Sequence, residues 1–396
     1  MTGLLAPPNP SFWRQKKVLV TGHTGFKGAW LSHWLHRLGA EVIGVALPPP
    51  TTSPSLFSAL NLDKYCHHHI QDIRDHEGLN HLMQQYQPEI IFHLAAQSLV
   101  RTSYRDPLTT FSSNVMGTVH VLEACRHLPT LRMALMITTD KVYAQPQQGV
   151  VSDLEHDESS RVSRGFAETD RLGGHDPYSA SKAAAELAIQ SYIDSFLGPA
   201  GKPIAVARAG NVIGGGDWSA ERLIPDAIHA WSTGTPLEIR HPGAIRPWQH
   251  VLEPLYSYLQ LAEKIWHRPN LAGAYNLGPD LNATAEVQSV VRLAAQCYHQ
   301  QTSQPATVDW PASSEPTAAS ATQWHEAACL RLNTQKALEV FGLRPVWPLS
   351  EAIERTIAWY ARFQQGDAAM ALCNQDIQHF EACLKGHTDT TEDCDA

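Results

Sequence analysis

Short apolar runs divide the first half of the chain. They lie at residues 17–20, 41–46, 89–94, 132–137 and 203–208, and apolar residues recur at helical spacing between them. Runs of this length that are rich in Val, Ile and Leu are typical of buried strands. Strands that alternate with amphipathic helices predict an α/β fold with a parallel, doubly wound sheet.

A glycine-rich turn follows the first run. Gly22, Gly25 and Gly28 stand at every third position, and a helical pattern begins at Ala29. Glycines let the backbone approach a pyrophosphate, whose charge meets the N-terminus of the next helix, so this context predicts a Rossmann-like dinucleotide site. The acidic residue that usually binds the adenosine ribose about twenty residues further on is replaced by Leu47 and prolines. No Arg stands nearby for a 2′-phosphate, and we expect NAD.

The second half of the chain contains polar interruptions. Residues 145–164 are polar and acidic, and residues 301–323 are rich in Ser, Thr, Ala and Pro, so both are predicted to be surface loops. A helical pattern continues through Phe380 and Leu384. The last ten or so residues are predicted to be disordered.

Composition excludes several classes of protein. The 396 residues include 39 acidic and 30 basic side chains, a net charge of −9, which argues against a nucleic-acid surface. The 7 cysteines are widely spaced without a C-x-x-C pair, which is typical of a reducing compartment.

No apolar run approaches the roughly eighteen residues of a membrane span, and residues 1–11 lack a signal-peptide pattern, so we expect a cytoplasmic protein. The histidines at 67–69 lack further ligands at suitable spacing, and no metal site is predicted.

Two segments carry candidate chemistry. Tyr178 and Lys182 are four positions apart, so a helix places them on one face, where the lysine charge would lower the pKa of the phenol. Such a phenol can accept a hydroxyl proton beside a nicotinamide. Asp140 and Lys141 follow the fourth run and supply two further proton-transfer groups, more than a simple dehydrogenase needs. An isolated Y-x-x-x-K pair is more often an ordinary helix-surface pair than a catalytic one. The other segments of this chain favour the catalytic interpretation.

Together the motifs resemble a known family. The segments are T-G-H-T-G-F-K-G, H-L-A-A-Q, T-D-K-V-Y, G-G-H-D-P-Y-S-A-S-K, R-A-G-N-V-I-G-G-G-D-W and R-P-W-Q-H-V, with Asn114 between the second and third. They resemble the extended short-chain dehydrogenases/reductases that act on nucleotide sugars, and within that family the CDP-glucose 4,6-dehydratases. The resemblance covers residues from about Phe12 to Phe363.

The resemblance implies roles at matching positions. The implied catalytic residues are Thr139, Asp140, Lys141, Tyr178 and Lys182. The implied NAD-binding residues are Gly22, Thr24, Gly25, Phe26, Gly28, Asp72, Ile73, Ala95, Ala96, Tyr178 and Lys182. The implied residues for the nucleotide-sugar substrate, expected to be CDP-glucose, are Gln97, Asn211, Arg222 and Arg246.

The resemblance also implies an organisation. We expect an NAD-binding domain with the catalytic residues at 12–214, a smaller C-terminal α/β substrate lobe at 215–363, from which the chain may return to the first domain, and an extension at 364–396. A homodimer is expected to form through the helix after Asn114 and the helix carrying Tyr178. The apolar positions expected in that interface are Val119, Val121, Leu122, Ala124, Ala183, Ala184, Ala185, Leu187, Ala188 and Ile189.

The expected reaction oxidises C4 of the sugar, which acidifies the C5 proton and allows water to leave from C6. In this scheme Tyr178 and Thr139 act at C4, Lys141 is the uncharged base at C5, and Asp140 is the protonated acid at C6. Both side chains reach one sugar only if the strand ends near Thr139, because neighbouring strand residues face opposite ways. The alternatives are another nucleotide-sugar dehydratase, a 4-epimerase, a plain dehydrogenase, or a non-catalytic NAD-sensing protein.

Overall fold

A computed structural model describes residues 5–50, 54–144, 164–311 and 330–389. The strands are β1 (Lys17–Thr21), β2 (Glu41–Ala46), β3 (His67–Ile70), β4 (Ile90–His93), β5 (Met133–Ile137), β6 (Ile204–Ala209), β7 (Val212–Ile213), β8 (Leu237–Glu238), β9 (Ile245–Arg246), β10 (Gln249–His250), β11 (Ala274–Leu277), β12 (Ala285–Glu286) and β13 (Val308–Asp309).

The helices cover both faces of the main sheet. They are α1 (Pro10–Trp13), α2 (Phe26–Arg37), α3 (Leu56–Ala59), α4 (His76–Tyr86), α5 (Val100–Arg105), α6 (Pro107–Phe111), α7 (Gly117–Arg126), α8 (Pro177–Tyr192), α9 (Leu223–Ser232), α10 (Leu252–His267), α11 (Val287–Thr302), α12 (Gln335–Phe341), α13 (Leu349–Gln364) and α14 (Ala369–Asp389). Ser112–Met116 forms a π-helical segment between α6 and α7.

Within the described residues, seven parallel strands form the main sheet in the order β11-β6-β5-β4-β1-β2-β3. Six of the strands are largely buried because one apolar core lies on each side of the sheet, whereas the edge strand β3 is partly exposed. The predicted Rossmann-like, doubly wound fold is therefore confirmed. The order reverses between β1 and β4, so the loops after these strands diverge and open a crevice where such sheets bind ligands.

The C-terminal half forms a smaller α/β lobe that remains joined to the first domain. Its short strands pair as β7 with β10, β9 with β12, and β8 with β13. Strand β11 then returns to the main sheet beside β6. The domain boundaries at residues 214 and 363 stay predictions.

Two loop predictions differ from the structure. Residues 301–302 complete α11, and Val308–Asp309 pairs with β8, so the predicted loop at 301–323 begins later than expected. Thr307 also receives a hydrogen bond from Trp231, which holds this segment against the lobe. Helix α14 extends to Asp389, beyond the expected end of order. Residues 303–307, 310 and 311 lie outside helices and strands, and residues 145–163, 312–323 and 390–396 lie outside the described residues.

Across the described ranges, no helix has both the length and the apolar character needed to cross a bilayer.

Candidate active site

The glycine turn packs closely against the loop after β4. Gly22 has φ +77°, and a Cβ there would lie 2.8 Å from the backbone nitrogen of Ala95. A Cβ on Gly28 would lie 2.1 Å from the carbonyl oxygen of Gly22, so α2 and the turn meet through backbone atoms alone. Gly25 begins α2 without a side-chain cap, which leaves N–H groups available to an anion. These residues fit a dinucleotide pyrophosphate.

The loop after β4 is fixed by a buried hydrogen-bond chain. The hydroxyl of Thr21 accepts a bond from the backbone N–H of Ala95 at 3.1 Å. The ring of His93 lies 2.8 Å from the same hydroxyl and 3.0 Å from that of Thr118. Ala95 and Ala96 are thereby held beside the glycine turn, as the predicted cofactor site requires.

Thr24, Asp72 and Ile73, three further predicted cofactor residues, have partners within the protein. The hydroxyl of Thr24 donates to the carbonyl of Leu47 at 2.9 Å, at the end of β2. Asp72 forms an ion pair with Arg74 at 2.6 Å, whose hydrogen bonds lower the pKa of that carboxyl. Ile73 packs on α7, since a Cβ on Gly117 would lie 2.5 Å from it. A contact between Asp72 and adenine stays a prediction.

The catalytic segment begins where β5 ends. Thr139 is extended, and Asp140–Val142 forms a 3₁₀ turn. The hydroxyl of Thr139 donates to the carboxyl of Asp140 at 2.9 Å and accepts from the N–H of Lys141 at 3.3 Å. A 3₁₀ turn advances successive side chains around an axis instead of alternating them, so Asp140 and Lys141 are not forced onto opposite faces. The expected end of the strand is confirmed.

Asp140 lies where three motifs meet. It is 1% exposed, and burial raises the pKa of its carboxyl above the ordinary value. A Cβ on Gly210 would lie 2.9 Å from Oδ2 of Asp140 and 2.7 Å from Pro247, so only glycine fits there. Oδ2 has no hydrogen-bond partner within the described part of the chain. A protonated Asp140 can therefore offer this oxygen as a donor to a ligand.

Tyr178 and Lys182 lie on one face of α8, as predicted. Asp176 caps the helix by accepting from the N–H of Ser179 at 2.9 Å. The side chain of Thr139 lies close enough to the Tyr178 hydroxyl to lower the pKa of that phenol, against the larger effect of burial. This places the phenol directly beside the catalytic turn.

The sequence predicted that the charge of Lys182 would lower the pKa of the Tyr178 phenol. In the protein without ligands this prediction is wrong. Burial raises the pKa of Tyr178 to about 12 and lowers the pKa of Lys182 to about 8. The ammonium of Lys182 donates to the carbonyl oxygen of Ile137 at 3.1 Å. The effect of burial on the pKa of Tyr178 is therefore larger than the effect expected from attraction between the lysine and the phenolate.

The predicted substrate residues come from both parts of the fold. Arg222 lies 3.2 Å from the Ser98 hydroxyl and 3.4 Å from the Asp217 carboxylate, and so spans the crevice. Arg246 is 5% exposed in β9, and its charge lowers the pKa of Asp140 against the larger effect of burial. The two arginines therefore lie on the lobe side of the catalytic turn.

The two amide residues predicted for substrate have structural contacts. The carbonyl of Asn211 accepts from the N–H of Gln249 at 3.1 Å, between β7 and β10. The side chain of Gln97 binds the carbonyl of Leu99 at 3.1 Å and the Thr110 hydroxyl at 3.0 Å. A substrate contact of Gln97 would require exchange of these bonds.

Sequence reasoning did not assign Lys27, which lies in the glycine motif. Its ammonium donates to the Tyr258 hydroxyl at 2.8 Å. Burial, followed by the charges of Arg222 and Lys182, lowers the pKa of Lys27 to about 7. The signal in the sequence was a lysine within the glycine motif, in the first turn of α2. Within the described residues, no group of three or more His, Cys, Asp or Glu side chains is arranged to hold a metal ion.

Comparison with known proteins agrees with this geometry. The chain is 38% identical over 376 residues to CDP-glucose 4,6-dehydratase of Salmonella typhimurium, a match that covers 93% of this chain and 97% of that one. The UDP-glucose 4-epimerase structure from Thermotoga maritima aligns with a TM-score of 0.69 and 20% identity, over 88% of this chain and 99% of that one. The dTDP-glucose 4,6-dehydratase of Bacillus anthracis, solved with NAD, aligns with a TM-score of 0.67 and 20% identity, over 88% and 98%.

The two structural matches support the fold, and the sequence matches support the family. The model of the GDP-mannose 4,6-dehydratase family matches residues 19–356, which includes the glycine turn, the catalytic turn and the Tyr178 helix. The chain therefore belongs to the GDP-mannose 4,6-dehydratase family.

Proposed function

We propose that the protein is a CDP-glucose 4,6-dehydratase, an NAD-dependent hydro-lyase of deoxysugar biosynthesis. It converts CDP-D-glucose into CDP-4-keto-6-deoxy-D-glucose and water. The observation that carries this proposal is the turn after β5, where the buried carboxyl of Asp140 is bonded to Thr139, and Tyr178 lies close enough for Thr139 to lower its pKa. The nearly full-length similarity to the Salmonella enzyme supports the choice of substrate.

NAD is held by the glycine turn, by the loop at Ala95 and Ala96, and by Tyr178 and Lys182. The close backbone approach of Gly22 and Gly28 supports this assignment. When bound, NAD takes up the two electrons removed at C4 and returns them at C6, so the reaction needs no other redox partner.

The side chains of the turn divide the proton transfers. Tyr178, oriented by Thr139, accepts the C4 hydroxyl proton as a phenolate, which the positive charges of Lys182 and of bound NAD would favour against the burial that raises its pKa to about 12. The resulting ketone acidifies C5, and Lys141 removes that proton. Asp140 donates its proton to the C6 oxygen, and water leaves; a raised pKa suits this role because the group must be protonated.

The arginines hold the charged part of the substrate. Arg222 and Arg246 contact the nucleotide diphosphate, since a planar guanidinium matches phosphate oxygens in pairs. Asn211 and Gln97 complete the sugar and nucleotide contacts. Neutralisation of Arg222 by Asp217 in the protein alone supports a site that exchanges this partner for the diphosphate.

The acid–base pair distinguishes the alternatives. A 4-epimerase or a plain dehydrogenase needs no acid and base after Thr139, and an NAD-sensing binding protein needs none of the five catalytic residues. Other nucleotide-sugar dehydratases share this chemistry and differ in the nucleobase of the substrate that they bind.

We propose a homodimer through an apolar surface on α6, the π-helical segment and α8. The exposed side chains that support it are Leu108 (83% exposed), Leu187 (63%), Met116 (48%) and Phe111 (39%). Six of the ten interface positions expected from the sequence are buried within the protein itself: Val121, Leu122, Ala124, Ala183, Ala185 and Ile189. Val119, Ala184 and Ala188 are half-buried, and Leu187 is exposed.

We also propose a cytoplasmic location, because cysteines at positions 66, 125, 297, 373 and 383 are free thiols.

Substrate tests separate these alternatives. The protein, with NAD, is incubated with the glucose esters of CDP, dTDP and UDP and with GDP-mannose, and 4-keto-6-deoxy products are measured. CDP-glucose is expected to give the highest kcat/KM. Preference for another nucleotide would change the substrate assignment, and formation of a 4-epimer without loss of water would contradict the dehydratase assignment.

A further inference from the structure

A buried ion pair lies directly behind the catalytic turn. Arg208 of β6 and Glu186 of α8 are 4% and 5% exposed. Nε of Arg208 lies 3.0 Å from both carboxylate oxygens of Glu186, and its Nη2 forms a further short bond to Oε2. Glu186 stands one helical turn beyond Lys182. The catalytic mechanism above uses neither member of the pair.

Each member of the pair holds a residue that borders the catalytic turn. The Thr138 hydroxyl donates to Oε1 of Glu186 at 2.6 Å. Nη1 of Arg208 donates to the Tyr143 hydroxyl at 2.8 Å. Thr139, Asp140 and Lys141 lie between these two attachment points.

Tyr143 is held from several directions. Its hydroxyl donates to Oδ1 of Asn276 at 2.6 Å. Its ring stacks on Phe166 with centroids 4.9 Å apart and planes inclined by 4°, and the Arg208 guanidinium lies 5.0 Å from the ring centroid. Asn276 belongs to β11, so the attachment reaches the strand that returns from the C-terminal lobe.

Stability alone does not account for this arrangement. Removing two charges from water costs about as much as their attraction returns, so a well-packed apolar pair is often as stable. A buried pair does fix the relative positions of its hydrogen-bond partners, which here are Thr138, Tyr143 and the carbonyl of Glu168. Glu186 also opposes the effect of burial on Lys182, because its negative charge raises the pKa of that ammonium.

We propose that Glu186 and Arg208, with Thr138 and Tyr143, form a clamp that positions the catalytic turn. The clamp fixes both ends of the segment that carries Asp140 and Lys141, so that acid and base face the same sugar. These four are positioning residues, since they act through the turn. The proposal rests on the dehydratase function for its kinetic test and on the protein alone for its structural test.

The test removes one attachment at a time and leaves the ion pair intact. Thr138→Val keeps the side-chain volume and removes the hydroxyl, and Tyr143→Phe removes only the phenolic oxygen. Thr138→Ser restores the hydroxyl. Tyr192→Phe is the matched control, because it removes a hydroxyl that donates to Glu123 at 3.1 Å, away from the turn.

With CDP-glucose and NAD, Thr138→Val and Tyr143→Phe should each lower kcat by about 10- to 100-fold, since misplacement of catalytic groups by about 1 Å has effects of this order. KM should stay within about threefold, because neither residue contacts substrate, whereas loss of a binding contact would raise it. Thr138→Ser and Tyr192→Phe should behave like the wild type. Amide hydrogen exchange in peptides covering residues 137–143 should accelerate in the two impaired variants only.

Wild-type kcat and wild-type exchange at residues 137–143 in both variants would overturn the clamp. An equal loss of kcat in Tyr192→Phe would assign the effect to general destabilisation and would also overturn it, as would a rise in KM at constant kcat. If the wild type forms no 4-keto product, the proposed function fails, and the exchange measurement still decides whether the clamp exists. If one variant does not fold, the other carries the test.

Discussion

At the scale of the residue, burial shifts the pKa values of the catalytic groups. It raises the pKa of Asp140, which favours the protonated acid, and it raises the pKa of Tyr178 to about 12. The sequence predicted the position of Tyr178 beside the turn but not its electrostatics. The hydrogen bond between Lys182 and the carbonyl of Ile137 depends on how α8 packs on β5, and residue spacing within α8 carries no information about that.

The acid and the base should separate in an isotope experiment. Lys141→Ala should lose exchange of the C5 proton with D₂O, because the base is gone, and should form about 10²- to 10⁴-fold less product. Asp140→Asn should lose product formation to a similar extent and keep C5 exchange, if deprotonation precedes loss of water. Exchange is measured by mass spectrometry of recovered CDP-glucose. Near-normal product from Lys141→Ala would show that Lys141 is not the base.

Asp140→Asn should also stabilise the protein at neutral pH. Because the folded-state pKa of Asp140 is raised by burial, the unfolded chain releases a proton that the folded chain keeps once the pH exceeds the unfolded value. Stability then falls as pH rises towards the folded pKa, and the Asn variant lacks this loss. The melting temperature of the variant relative to wild type should therefore increase as the pH rises above about 4, the usual value for an aspartate.

Asp72→Asn is the control with the opposite sign. The pKa of Asp72 is lowered by Arg74, so its contribution is present above the unfolded pKa and is lost as pH falls. The variant should be less stable than wild type at neutral pH, by no more than about 1 kcal/mol for an exposed pair. A pH-independent melting difference for Asp140→Asn would contradict the assigned burial effect.

At the scale of the element, apolar runs located the strands well. The predicted runs at 41–46 and 132–137 correspond to β2 (Glu41–Ala46) and β5 (Met133–Ile137). Such strands are buried on both faces, and their own composition specifies them. The two-residue strand Val308–Asp309 depends instead on pairing with Leu237–Glu238. Glu186 and Arg208 were missed for the same reason, since their roles exist only when α8 and β6 come together.

The glycine turn provides a test at this scale. Gly28→Ala should lower the free energy of unfolding by about 3 kcal/mol or more, because the new Cβ would lie 2.1 Å from a backbone oxygen that cannot move away. Gly25→Ala is the matched control: its Cβ would lie 3.4 Å from the same oxygen, and it should cost under about 1 kcal/mol. Urea unfolding measures both. Equal effects would contradict the close packing of α2 on the turn.

At the scale of the whole molecule, the apolar surface around Leu187 predicts association. Leu187→Glu combined with Leu108→Glu should convert a dimer into a monomer at micromolar concentration, because two charges would enter the apolar contact. Leu338→Glu is the control, since Leu338 is also exposed, at 41%, but lies on α12. Light scattering measures the mass. A monomeric wild type, or a dimer that survives the double substitution, would contradict the proposed interface.

The central claim is an elimination in which the electrons removed at C4 return to C6 of the same sugar. The most direct measurement uses CDP-glucose carrying deuterium at C4, followed by NMR or mass spectrometry of the product. The account predicts a 4-keto-6-deoxy sugar with the deuterium at C6. Deuterium retained at C4 in an epimer, or accumulated in released cofactor in proportion to product, would contradict it.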